Sequence, residues 1–177
     1  MAWHWGKAMR GAAMAGALVT ALSGAAAAED TSSVYKDISA AELQRLLTIA
    51  GVESVAGSDK NGNPIIYAQA GDTQFVVRTF ECARGTSGSG ENALRCQRMQ
   101  YQARFELPTP PSRADMNAFN QTWVFGKAYV TDNGLAAIEY PVNLTMGVTE
   151  ANLVHNFVLW VSILEEFIAH LSHSQTS

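Results

Sequence analysis

Residues 149–171 read TEANLVHNFVLWVSILEEFIAHL, the longest periodic stretch of the chain. Apolar side chains recur at Leu153/Val154, Phe157, Trp160/Val161, Leu164, Phe167/Ile168 and Leu171, the three-to-four spacing of one helix face. Leu159 and Ile163 widen that stripe and leave a narrow polar side of Asn152, His155, Asn156, Ser162, Glu166, Ala169, His170 and His173. A helix this apolar has to be covered, and the face of a sheet is the predicted cover. Thr149 is placed to accept from the free amides of the first turn, with Glu150 at the positive end of the dipole.

Upstream, the chain supplies that sheet. Asp132-Asn133-Gly134 is a tight turn needing positive φ at its centre, joining strands predicted at Lys127–Thr131 and Leu135–Val142. Before it, Ser112 and Asp115 have capping-box spacing, and Met116, Phe119/Asn120 and Trp123 continue a helical period that should fail near Phe125-Gly126. Pro108, Pro110 and Pro111 stop a strand over Arg95–Leu107. In it Met99, Tyr101, Ala103, Phe105 and Leu107 alternate with Arg98, Gln100, Gln102, Arg104 and Glu106, one dry face and one wet. Earlier strands are predicted at Val52–Ala56, Pro64–Gln69 and Thr73–Cys82, joined by short turns as an antiparallel meander. The meander follows a helix that starts at the Ser39/Glu42 capping box, shows Leu43, Leu46, Leu47 and Ala50, and stops at Gly51. Ile38, just before the cap, reads as its hydrophobic staple. The predicted class is α+β, an antiparallel sheet covered by helices in the order α-β(3-4)-α-β(2)-α.

Residues 1–28 carry Lys7 and Arg10, then a small and apolar run over 11–26, then Ala26-Ala27-Ala28 before Glu29. This is the pattern of a secretory signal peptide; a retained anchor is the alternative. The expected organisation is signal peptide 1–28, loose lead 29–37, folded domain 38–171 and loose tail 172–177. Removing the two positive charges of the first segment takes the net charge from −4 to −6. An acidic exported chain lacks the clustered positive surface that phosphate neutralisation requires, so nucleic acid is not an expected partner. No stable membrane span is expected after cleavage, because Asn156, Ser162, Glu165 and Glu166 interrupt the last helix. The expected compartment is the periplasm, with the extracellular space as the alternative. There Cys82 and Cys96 are expected to form a structural disulfide that closes a Gly/Ser-rich loop and adds about 3 kcal/mol.

No catalytic, metal or cofactor site is expected. DKNGNP at 59–64 begins like a calcium loop, but Pro64 stands where glycine is required and Ala70 where the bidentate acid should fall. His170 and His173 have no acid or cysteine spaced to complete a metal site. Ser87 and Ser89 lack a strand-elbow-helix context, and GTSGSGEN lacks the lysine of a phosphate-cradling loop. Glu81, Glu106 and Glu139 are dispersed along strands; Arg78, Arg98 and Arg104 can share one sheet face, keeping it wet or receiving an anion.

Residues 117–167 carry Asn117, Phe119 and Asn120, then Phe125 and Tyr129, the Asp132-x-Gly134 turn, and Gly147-Val148-Thr149-Glu150-x-Asn152-Leu153 leading into the last helix. In these features the chain resembles the YbjN domain, a family associated with bacterial sensory transduction. The family pattern has Trp where this chain has Phe119, and a more charged segment where it has Gln121–Val124. The resemblance implies a small α+β domain like the type III secretion chaperones, which binds other proteins and carries no catalytic centre. From the residues themselves, Asn117, Asn120 or both are expected to hydrogen-bond backbone at the join between helix and strand. The function expected is therefore that of a non-enzymatic exported domain binding a protein partner or itself. The alternative is a binder of a small ligand or envelope component in a pocket between sheet and last helix.

Overall fold

The computed structural model describes residues 33–85 and 93–174. The expected signal peptide, residues 29–32 of the lead, the Gly/Ser-rich stretch 86–92 and residues 175–177 lie outside the described residues. The elements run β1 (Val34–Tyr35), β2 (Ile38–Ser39), α1 (Ala40–Ile49), β3 (Glu53–Ser58), β4 (Pro64–Ala70), β5 (Thr73–Arg84) and β6 (Leu94–Phe105). They continue with α2 (Arg113–Thr122), β7 (Lys127–Val130), β8 (Ala136–Asn143), β9 (Val148–Thr149) and α3 (Glu150–Ser174). The fold is α+β, with an antiparallel sheet in the order β3-β4-β5-β6-β8-β7, β2 also pairing with β6, and β1 pairing separately with β9.

Local chemistry sets the helix boundaries. Ser39 Oγ accepts from the Glu42 amide at 3.3 Å while the Glu42 carboxylate accepts from the Ser39 amide at 2.8 Å. Gly51, at φ 78°, closes α1: its amide donates to Thr48 O at 3.0 Å and the Val52 amide to Leu47 O at 2.9 Å. Ser112 and Asp115 form the same reciprocal box at α2. Thr149 Oγ1 accepts from the Asn152 amide at 3.2 Å and starts α3.

One face of the sheet packs against the helices. Leu153, Phe157, Trp160, Ile163, Leu164, Phe167 and Leu171 of α3 are buried in one cluster with Ile66, Phe75, Val77, Met99, Tyr101, Ala103 and Ile138 of the strands. Trp160 stacks on Tyr101 at 5.6 Å and meets the edge of Phe75 at 5.8 Å. Leu43, Leu46 and Leu47 of α1 and Met116 and Phe119 of α2 join the same cluster, so all three helices bury their apolar side in it. By length and mean hydropathy, 1.2, α3 would also qualify as a membrane span, yet its apolar stripe is spent on the sheet.

Several expectations change. The lead is not loose where it is described: Val34 pairs with Thr149 and Tyr35 with Val148. Tyr35 is buried, and its hydroxyl donates to Glu150 at 2.8 Å. Ile38 is a strand residue opposite Cys96 rather than only a staple. Helix α3 runs through Ser174, so residues 172–174 are not a loose tail. Helix α2 ends at Thr122, earlier than expected, with Trp123 already extended at ψ 119°. Gln102, expected on the wet face, is buried.

Candidate functional site

With every described helix on one side, the opposite face of the sheet is left uncovered among the described residues. Register places Val55 against Tyr67, Tyr67 against Val76, and Val76 against Gln102. Residues two apart share a face, so Ile65, Arg78, Phe80, Arg98, Gln100 and Arg104 stand on that side too. Val55 is 68% exposed and Tyr67 52%, unusual for large apolar side chains in adjacent strands. Together with Ile65, Val76, Arg78 and Arg104 they line an open groove of about 540 Å³. Gly57 shapes one wall: a Cβ there would sit 3.0 Å from Tyr67 Cε2 and 3.6 Å from Ile65 Cγ2, so its bare backbone lets the Tyr67 ring lie across β3. A second depression, lined by Phe80, Arg98, Gln100 and Pro141, continues along the face toward β8.

Beside the groove a polar network is closed on itself. Gln102 Nε2 donates to Glu139 Oε1 at 2.6 Å and to Tyr129 Oη at 3.4 Å. Gln100 Nε2 donates to Glu139 Oε2 at 3.0 Å, and the Tyr129 hydroxyl donates to Glu139 Oε1. Burial and then the bond to Glu139 raise the Tyr129 phenol above its ordinary pKa, while Lys127 lies 5.0 Å over its ring. Both Glu139 oxygens thus accept hydrogen bonds within this network. Arg98 is likewise engaged, 3.1 Å from Glu81. Glu81 has φ 54°, and the ladder breaks there between the pairs Phe80↔Arg98 and Cys82↔Cys96. Cys82 and Cys96 are joined by a disulfide across β5 and β6.

The residues singled out in the sequence do not converge on a site. Asn120 ties α2 to β7, its Nδ2 donating to Ala128 O at 2.9 Å and its Oδ1 accepting from the Ala128 amide at 2.8 Å. Asn117 is exposed on α2 and, among the described residues, has no such bond. Phe119 is buried against Phe167 at 5.0 Å and His170 at 5.5 Å; Phe125 is half exposed with its edge on Tyr140. Gly134 takes φ 81° in the hairpin turn beside Asp132. Gly147, at φ 95°, leaves no room for a side chain, since a Cβ would lie 2.8 Å from Val34 Cγ1. Of these residues only Tyr129 reaches the uncovered face. Asp59 Oδ1 accepts from the Asn61 and Asn63 amides at 2.8 and 2.9 Å, which makes DKNGNP a side-chain-stabilised turn.

Arg78 and Arg104 do stand on one face, as their spacing suggested, but Val55, Gly57, Tyr67 and Val76 were missed. Their signal was in β4, where Ile65, Ile66, Tyr67 and Ala68 are apolar on both faces instead of alternating. The groove of about 540 Å³ lies on the face of the sheet away from α3, whereas the alternative reading of the sequence looked for a pocket between the sheet and the last helix. Among the described residues no group of three or more His, Cys, Asp or Glu side chains is placed to hold a metal ion.

Comparison with curated proteins and with solved structures returned no match. Residues 39–173 match the profile of the YbjN family, described as "Putative bacterial sensory transduction regulator". That match runs from the cap of α1 to the last turn of α3, and the chain belongs to the YbjN family.

Proposed function

We propose that this protein is a non-enzymatic, exported regulatory domain whose uncovered sheet face docks a protein partner or a second copy. The observation that carries the proposal is the pair Val55 and Tyr67, large apolar side chains held open to solvent beside a groove while the other sheet face is filled by three helices. The family description, that of a regulator, agrees with it. The segment 1–28 and the disulfide support export to the periplasm, with Glu29 as the new N-terminus. Kinship with the type III secretion chaperone fold belongs to the same proposal, supported by the order of helices around one antiparallel sheet.

A second reading is favoured by the groove itself. At about 540 Å³, with Tyr67, Arg78 and Arg104 in its wall, it is large enough for a small ligand or envelope component. The test is affinity capture by residues 29–177 from envelope extract, with sizing of the purified protein, for wild type and Tyr67→Lys. A protein, or a second copy, held by wild type and lost by the variant supports the proposal. A monomer that captures nothing contradicts it, and N-terminal sequencing that finds Met1 retained contradicts cleavage.

A further inference from the structure

The groove sets Val55, Tyr67 and Val76 between two arginines, which narrows what docks there. Arg78 and Arg104 line the groove, and among the described residues neither forms an ion pair, although Arg45, Arg95 and Arg98 all do. Arg78 rests 6.0 Å from the Phe80 ring and reaches Asp59 only through space. Among the described residues Glu53 is the single carboxylate in the groove lining. In a chain of net charge −4, two guanidinium groups without an ion-paired carboxylate, set beside Val55, Ile65, Tyr67 and Val76, call for negative charge from outside.

Register fixes their spacing. Arg78 pairs with Gln100, and Arg104 lies four residues further along β6. Four residues of strand span roughly 13 Å, the distance between side chains i and i+4 of an extended peptide. Those two side chains, and the one at i+2 between them, point to the same side of such a peptide. The central one would fall at the level of Val76 and Gln102, with Tyr67 beside Val76 on the neighbouring strand β4.

We infer that the face recognises an extended protein segment of the pattern acid-x-apolar-x-acid, its carboxylates on Arg78 and Arg104 and its central apolar side chain on Val76, flanked by Tyr67. This rests on the docking face proposed above and names the chemistry of its partner. The test is fluorescence anisotropy with blocked, labelled peptides on the mature protein: Glu-Thr-Val-Thr-Glu, its Gln-for-Glu counterpart, and a version with the acids three residues apart. The partners are wild type, Arg78→Gln, Arg104→Gln and Tyr67→Lys, each checked by melting temperature.

The expected result is binding of the first peptide that weakens about fivefold in each arginine variant and about 25-fold for the Gln peptide. The three-residue spacing also weakens it, since it turns one acid away, and added salt lowers affinity. Equal binding of Glu and Gln peptides, or arginine variants indistinguishable from wild type, overturns the inference. If no peptide binds but Tyr67→Lys abolishes partner capture, the docking face stands and the acidic pattern falls. Self-association lost in Tyr67→Lys but kept in Arg78→Gln gives the face to a second copy and also overturns it. A Tyr67→Lys protein that behaves as wild type throughout removes both readings.

Discussion

Replacing Asn120 by alanine separates a structural from a recognition role for the paired asparagines of α2. The Asn120 amide bonds both backbone groups of Ala128, at 2.9 and 2.8 Å, and so stands in for a neighbouring strand on the free side of β7. Loss of two such bonds, each worth about 0.5–1.5 kcal/mol net, predicts a destabilisation of roughly 1–3 kcal/mol. For a domain of this size that lowers the melting temperature by roughly 4–10 °C. Asn120→Asp keeps the acceptor for the Ala128 amide but sets a carboxylate against the Ala128 carbonyl, so it should recover none of the loss. Asn117→Ala, exposed and unbonded among the described residues, should stay within about 0.5 kcal/mol of wild type. Calorimetry at neutral pH without reductant gives the first readout, and hydrogen exchange at the Ala128 amide the second. An Asn120→Ala protein melting within about 1 °C of wild type, with Ala128 protection unchanged, would refute the strand-partner role.

Acid should unfold the domain through its caps. Bonds from Arg45 and Tyr35 hold the Glu150 carboxyl below its ordinary value. For Glu42, partial burial works upward but is outweighed by the Ser39 amide and hydroxyl and by Arg95, and Ser112 lowers Asp115. Each folded-state pKa lies below its unfolded value, so the stabilisation is present above about pH 4.5 and is lost as pH falls through the folded values. Urea midpoints should be flat from pH 7 to 5 and fall steeply below 4; a midpoint that rises on acidification contradicts this. Gly147→Ala combines φ 95° with a 2.8 Å approach to Val34, and should cost about 1–3 kcal/mol by displacing β1 from β9. Unchanged exchange at the Val34–Tyr35 amides would count against that assignment.

How much of this was legible in the sequence follows the range of the interactions. Helix caps, the Gly51 stop, the Gly134 turn and the α3 stripe are set by residues within about five positions of one another, and each stands where its residues put it. Strands β1, β2 and β9 hold only two residues apiece and are defined by partners up to 115 positions away, so periodicity could not show them. The wet face of β6 was legible in Arg98 and Arg104; the burial of Gln102 was not, because it depends on Tyr129 and Glu139 from two other strands. The groove depends on the register of four strands and on a glycine facing a tyrosine. Only the doubly apolar β4 hinted at it.

The central claim is that the two sheet faces have opposite fates, one filled by α3 and the other kept open for a partner. A soluble paramagnetic probe reads both faces in one methyl and aromatic NMR experiment, recorded before and after the captured partner is added. The Val55 methyls and the Tyr67 ring should broaden strongly and then be protected by the partner, while the Trp160 indole and the Leu164 methyls stay sharp throughout. Broadening at Trp160 and Leu164, or partner protection that leaves Val55 and Tyr67 untouched, would contradict it.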